Sequence, residues 1–345
     1  GVLGNYRPLA SYVPHVKRVS NNRIYESGFY DRFIPFWTFN GRGLVKNSDQ
    51  GDWVRSDSVV AMNSKGQVLE AWNALNIPSS TYYQFGDLLQ VAVGSNAYYN
   101  DIVYEGFEGF AYNNGRTRPS GMHCEFKPHL EFATEMPADI LTSSFLTREK
   151  RHSGSTSLRV IPGTDFKTRV PVLKRNLKRS TKAERLSGRQ FTVKSEDILV
   201  PFSPRTGVKY IVSAWIHQDA ADASNFSGFD LIINNERFTA SGPIIDGWQQ
   251  INGEFELSSG ISYFNIALQT TVPTWIDDLR IQPLESVMET YSYDNKKLIM
   301  LAKHDDLNFS SFFEYDASGN LERTKKETEY GIITMTENRS ELPKK

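Results

Sequence analysis

Cysteine is nearly missing from this 345-residue chain: Cys124 stands alone, which excludes an intrachain disulfide and a thiolate metal cluster. Long apolar runs are missing too. The patch at 88–93 (LLQVAV) is short and interrupted, far below the roughly 18 residues a bilayer crossing needs, so no transmembrane segment is expected. Excess charge of either sign is also lacking. Lys and Arg total 39 against 40 for Asp and Glu, which leaves no global attraction for nucleic acid, and none is expected as a partner. The chain has no Gly-x-Ser-x-Gly elbow, no His-Glu-x-x-His, no Gly-x-x-x-x-Gly-Lys and no Gly-x-Gly-x-x-Gly. Its six histidines (15, 123, 129, 152, 217 and 304) form no i, i+4 pair. Carboxylates at Asp305-Asp306 and Glu105/Glu108 carry no sign of lying across a cleft, so turn and strand-end roles are expected of them and an enzyme is not. The start, Gly1-Val2-Leu3-Gly4, lacks an initiator Met and a signal core, which points to a processed or excised piece of a longer polypeptide.

Aromatics are what the chain has in plenty, with 21 Phe, 16 Tyr and 6 Trp. They fall in segments that alternate with period two, such as 210–216 (YIVSAWI), 229–233 (FDLII), 263–268 (YFNIAL) and 275–281 (WIDDLRI). Turn signals separate them: Asn113-Asn114-Gly115, Asp246-Gly247, Ser259-Gly260 and Ala317-Ser318-Gly319-Asn320. The best helical stretch, 173–186, has Lys and Arg on all sides. An all-β chain follows. Three blocks separate by character: an irregular, aromatic 1–104, a series of short strands over 105–285, and a hairpin-like 286–345. The last block contains 313–321 (FEYDASGNL), and 60–70 (VAMNSKGQVLE) is a weaker copy of the same strand, Gly turn and strand.

The 313–321 pattern resembles the YD repeat of Rhs-type proteins, with Phe313 in place of the first Tyr. The middle block resembles the jelly roll of carbohydrate-binding modules. Gly106-Phe107-Glu108, the run 152–160 (HSGSTSLRV), 210–216, Gly247-Trp248-Gln249 and 276–280 (IDDLR) match its strands in order. The basic run 174–190 is an insertion such modules usually lack. With Asn5-Tyr6-Arg7-Pro8 and 95–99 (SNAYY) ahead of it, the chain is similar to the C-terminal region of large Rhs-like surface proteins of Bacteroidetes. That resemblance implies an antiparallel jelly-roll sandwich of about eight strands flanked by YD-type hairpins. It also implies a non-catalytic structural or interaction segment at the cell surface or outer membrane, tied to gliding motility or the type IX secretion translocon. Asp57-Ser58-Val59 fits the short periplasmic O-glycosylation pattern of such organisms. The alternative function is a carbohydrate-binding module that takes a surface or environmental glycan.

The resemblance also implies a structural Ca²⁺ between the first and last strands of the jelly roll, with Glu108 and either Asp278 or Asp277 as ligands and carbonyls of 152–157 completing the shell. In an alternating strand the two Asp side chains face opposite ways, so one at most reaches the ion, and Asp278 is preferred. The bland reading makes them strand-end residues. Trp215, Trp248, Phe226, Phe229 and Tyr263 are candidates for a sugar-stacking platform. Trp215 and Trp248 sit in apolar strands where burial is the default. Phe226 and Phe229 flank Ser227-Gly228 in a polar loop and are the better candidates for touching a partner. The cations of 174–190 could meet a polyanion, but a solvated loop or helix is the stronger expectation.

Overall fold

The structure, a computed structural model, describes residues 8–14, 34–47, 53–63, 65–108, 129–130, 132–134, 145–172, 202–219, 224–294 and 296–338. Cys124, His15, His123, the Asn113-Asn114-Gly115 turn, the helical stretch at 173–186 and the basic run 174–190 lie outside them. So do residues 5–7 of the opening motif. Two compact units divide at 78/79.

The first unit contains β1 (Ala10–Pro14), β2 (Trp37–Phe39), β3 (Leu44–Lys46), β4 (Trp53–Met62) and β5 (Val68–Asn73). β4 pairs antiparallel with β1 and β5, and β2 with β3 forms a separate hairpin.

The second unit opens with β6 (Pro78–Gln84), β7 (Leu89–Ser95) and β8 (Val103–Glu105), then β9 (Ala133–Thr134) and β10 (Leu146–Thr147). β11 (Ser157–Val160), β12 (Phe166–Pro171) and β13 (Lys209–His217) follow. Next come β14 (Phe229–Ile233), β15 (Glu236–Phe238), β16 (Ala240–Ile245), β17 (Trp248–Glu256), β18 (Tyr263–Thr270) and β19 (Thr274–Pro283). The chain then meanders through β20 (Val287–Tyr293), β21 (Met300–His304), β22 (Ser310–Tyr315), β23 (Leu321–Thr328) and β24 (Gly331–Glu337). No α-helix occurs among the described residues. The fold class is all-β.

Two antiparallel sheets face each other as a jelly-roll β-sandwich. The seven-stranded sheet runs β10-β11-β19-β13-β17-β16 with β8 also on β19, and the five-stranded sheet runs β15-β14-β18-β12-β9. Between them lie Phe107, Phe166, Phe202, Phe229, Phe264 and their aliphatic neighbours. Each such side chain contributes about 1.5–3 kcal/mol by leaving water, which is where the aromatic excess is used. The outer face of the seven-stranded sheet is also covered. Trp215, Ile245, Trp248 and Trp275 pack there against Phe309 and Ile332 of the C-terminal hairpins. Burial follows the layers: every residue of β19 is buried, whereas β14 alternates buried and half-buried because one of its faces is open.

Hydrogen bonding joins the first and last of the expected blocks. β7 pairs with β20, setting Ala92 opposite Thr290 and Ser95 opposite Val287, so 79–95 shares a sheet with the C-terminal hairpins. β20 follows β19 after a short turn and pairs with β7 on one edge and β21 on the other.

The hairpins share one turn. At Asp316 the carboxylate Oδ1 accepts the N–H groups of Ser318 and Asn320, and Gly319 takes φ +84°. At Asp305 the acceptor serves Leu307 and Phe309, with Asn308 at φ +70°. At Asn63 the side-chain amide oxygen serves Lys65 and Gln67, with Gly66 at φ +79°. The Asp or Asn supplies the acceptor, and a residue tolerant of left-handed backbone closes the turn three positions later.

Candidate functional site

The polar centre of the second unit forms where β19 changes partners. β11 pairs with Thr274–Ile276 and β8 with Leu279–Ile281, so neither strand lies opposite Asp277 and Asp278 on that edge. On the other edge the register against β13 slips, with Trp215 opposite Asp277 but Ser213 opposite Arg280. Asp278 sits at φ +49°, the mark of a β-bulge. The bulge cancels the alternation expected of the strand. Both Asp carboxylates reach the same loop, 152–156, rather than facing opposite ways.

Asp277 Oδ2 accepts the N–H groups of His152 at 2.9 Å and Ser153 at 3.2 Å, and its Oδ1 accepts the N–H of Asp278. Asp278 Oδ1 accepts the Tyr104 hydroxyl at 2.6 Å and the Ser153 hydroxyl at 2.8 Å. Its Oδ2 pairs with His152 Nδ1 at 2.7 Å. Glu108 Oε1 accepts the N–H groups of Ser155 and Thr156, while Oε2 is buried with no hydrogen-bond partner. Gly154 makes this approach feasible: at φ +58°, a Cβ there would lie 2.0 Å from Glu108 Oε1.

His152 extends the cluster into the C-terminal sheet. Its Nε2 meets Glu327 Oε1 at 3.0 Å, and Glu327 Oε2 accepts the Ser310 N–H. The His152 ring stacks on Trp215 with centroids 4.5 Å apart, and Trp215 Nε1–H donates to the Asn308 carbonyl. Arg280, also buried, donates to the carbonyls of Met288, Asp305 and Asp306.

These groups titrate far from their ordinary ranges. Burial pushes Glu108 up to about 8, against the opposing pull of the Ser155 and Thr156 N–H groups. Burial beside Asp278 raises Asp277 well above the carboxylate range. Burial would raise Asp278 too, but the imidazoles of His304 and His152 and the Tyr104 hydroxyl hold it below that range. For His152, burial is outweighed by Glu327 and Asp278, which lift it to about 10.

As oxygen donors for a cation, the three expected residues divide. Asp278 Oδ1 already takes two hydroxyls, and its Oδ2 faces the His152 ring nitrogen rather than an oxygen donor. Asp277 Oδ1 takes a single N–H donor, and Glu108 Oε2 takes none. The oxygens with fewest hydrogen donors are therefore Glu108 Oε2 and Asp277 Oδ1.

The aromatic candidates separate as sharply. Phe226 and Phe229 are not offered to a partner. Both lie in the sandwich core, because the Gln249 side chain accepts the Phe226 N–H at 2.7 Å and draws the loop inward. Trp215 and Trp248 are buried under the C-terminal sheet. Tyr263 alone of the five is open, at 51% exposure, with the Arg169 guanidinium 4.1 Å from its ring centre. This pair lies on the outward face of the five-stranded sheet, where Arg169 stands opposite Asn265 and Asp230 opposite Gln269. Sequence reasoning gave no role to Tyr104, His304, Glu327 or Arg280. The short run His152-Ser153-Gly154 reads as a strand motif and as a source of backbone carbonyls for an ion, not for the His152 side chain, and nothing in the local sequence marks Glu327.

Fold and site define an all-β sandwich protein with an enclosed polar cluster and one open sheet face. No family model and no curated protein matches the chain. Among solved structures it is similar to the CBM22-1 xylan-binding domain of Xyn10C from Paenibacillus barcinonensis. The identity is 12% and the TM-score 0.27, over 54% of this chain and 96% of that domain. So slight a likeness carries no functional weight. Among the described residues no helix is long and apolar enough to cross a membrane.

Proposed function

We propose that the chain is a non-catalytic binding segment of an exported surface protein, and that its sandwich takes a glycan on the open face of the five-stranded sheet. The observation behind this is the Tyr263–Arg169 pair. A half-exposed ring offers a pyranose face something to pack on, and Asn265, two residues along the same strand face and opposite Arg169, offers a directional partner for a sugar hydroxyl. Asp277, Asp278 and Glu108, by contrast, are buried rather than set across an open cleft, which favours binding over glycoside hydrolysis. Polysaccharide pull-down and a glycan array on the full chain test the idea. Tyr263→Ala should weaken a positive interaction about tenfold, the equivalent of 1.4 kcal/mol, without moving the melt. Wild-type protein that retains no polysaccharide would favour the other reading, an interaction segment within a larger polypeptide or a secretion complex. The exposed Tyr330, Ile333 and Met335 on and beside β24 speak for that reading.

A structural Ca²⁺ belongs to the same proposal. Glu108 and Asp277 would hold it, supplemented by backbone carbonyls, and the partnerless Glu108 Oε2 supports this. An ion that binds the folded chain alone stabilises it by about 2.7 kcal/mol at a hundredfold excess over Kd. EGTA should lower the melting temperature, and Glu108→Gln should abolish the difference. An unchanged melt, with no calcium found by mass spectrometry, would return these carboxylates to a purely hydrogen-bonding role.

A further inference from the structure

We propose that His152, Asp278 and His304 form a closed transition-metal site, suited to Zn²⁺, that pins the hairpin sheet to the sandwich. The three residues come from the 152–156 loop, the β19 bulge and β21. Each can present one ligand atom, and those atoms lie within 4.8 Å of one another. His152 Nδ1 is 2.7 Å from Asp278 Oδ2, and His304 Nε2 is 3.4 Å from Asp278 Oδ1. Zinc bonds of about 2.0–2.1 Å to nitrogen close such a spacing with small side-chain shifts.

Two further features point to a ligand rather than to packing alone. His304 Nε2 is fully buried, aimed at the Asp278 carboxylate, and has no hydrogen-bond partner. The outer nitrogens of both rings are already held. Glu327 Oε1 sits 3.0 Å from His152 Nε2, and the Ser310 hydroxyl sits 2.9 Å from His304 Nδ1. That is the arrangement by which metal-binding imidazoles are oriented, with an outer acceptor fixing the tautomer so that the inner nitrogen faces the metal. Glu327 and Ser310 are joined in turn by the Ser310 N–H to Glu327 Oε2 bond, so the outer frame is a single unit. Two imidazoles and a carboxylate select a transition metal over Ca²⁺, which takes oxygen. The Ser153 and Tyr104 hydroxyls, both hydrogen-bonded to Asp278 Oδ1, are the candidates for a fourth donor.

The test uses the full chain, purified without a metal-affinity step from zinc-supplemented cells. One equivalent of zinc by elemental mass spectrometry is expected, and Co²⁺ introduced by refolding should give the visible absorption of a tetrahedral nitrogen–oxygen site. His304→Gln should lose the metal. Glu327→Gln, which touches only the outer nitrogen of His152, should weaken it roughly 10–100-fold. Glu108→Gln should leave the zinc content unchanged, which separates this site from the calcium proposal. Should His304→Gln not fold, refolding the wild type in Zn²⁺ and in EDTA decides, with a higher melting temperature expected in Zn²⁺. Protein that stays metal-free after refolding in Zn²⁺ with an unmoved melt would overturn the proposal. So would a folded His304→Gln that keeps a full equivalent. His152 would then be an imidazolium held between Asp278 and Glu327.

Discussion

The C-terminal hairpins and the β19 edge of the sandwich are built from contacts of opposite range. In the hairpins the decisive bonds are local: Asp316 satisfies N–H groups two and four residues ahead, and the strands it joins pair at once. At the sandwich edge Glu108 reaches 47 residues to Ser155, Asp278 reaches 126 to His152, and His152 reaches 175 to Glu327. Local turns form wherever their four or five residues allow. The edge cluster exists only once β8, β11, β19 and β23 have all been placed, so it reports whether the whole second unit is assembled. The two regions should therefore differ in how much a single substitution costs and in how far the damage spreads.

The largest expected effect is at His152. Replacing it with Leu leaves Asp278 and Glu327 buried without the ring between them. Breaking a buried charge pair this way costs about 3–5 kcal/mol. Urea unfolding followed by tryptophan fluorescence should show a large fall in midpoint, because Trp215 stacks on that ring. A loss no greater than that of a turn substitution would mean the cluster is not the keystone that its connectivity implies.

Acid should also separate the regions. The His129 ring packs edge-on against Tyr82, and burial lowers its pKa to about 4 despite its hydrogen bonds to the backbone at Tyr104 and Tyr83. A depressed folded-state pKa makes the unfolded chain the stronger proton binder. The stabilisation from neutral His129 is thus present above pH 6.5 and is lost as pH falls through about 4, roughly 3 kcal/mol in all. Glu108, raised by burial, titrates in the opposite sense across part of this window in calcium-free protein, so the raw curve mixes the two. The difference between wild type and His129→Gln isolates the histidine. That difference should grow from pH 4 to 6.5 and level off above. In the hairpins Glu314 and Asp316 lie below their ordinary values, so their contribution is lost only at lower pH.

This contrast in range also explains what the sequence made legible. Asp316-Ala317-Ser318-Gly319-Asn320 carries its whole turn within five letters, and the period-two runs around Trp215 and Ile276 place strands correctly in an all-β sandwich. The failures arise where a distant residue decides a local outcome. Alternation would separate Asp277 from Asp278, but a bulge set by the β13 register turns both toward 152–156. Ser227-Gly228 reads as a polar, exposed loop, yet Gln249 from β17 ties it inward and buries Phe226 and Phe229. The default burial of Trp215 and Trp248 was readable, but not that a third layer, rather than the opposing sheet, would cover them. His304 and Glu327 stand in ordinary hairpin strands, and only the docking of that sheet brings them to Asp278 and His152.

The smallest expected effects come from one turn in two settings. Asn308 and Gly319 occupy the same position of the shared turn, at φ +70° and +84°. Gly319 faces open space, with nothing within 4 Å of a Cβ built there. Asn308 is fully buried, and its Nδ2 donates to the Asp278 carbonyl at 3.0 Å. Alanine at either position meets the left-handed backbone penalty, about 1 kcal/mol. At Asn308 it also strips a buried carbonyl of its donor, a further 1–3 kcal/mol or so. Asn308→Ala should accordingly lose about 2–4 kcal/mol, and Gly319→Ala about 1. Hydrogen exchange should show the reach of each change. Gly319→Ala should raise exchange only across β22 and β23, whereas Asn308→Ala should also loosen β13 and β19, because the turn it disturbs is the one that docks on the bulge. Equal losses at the two positions, both confined to the hairpins, would mean that the meander is only laid against the sandwich and that Asn308 does not couple them.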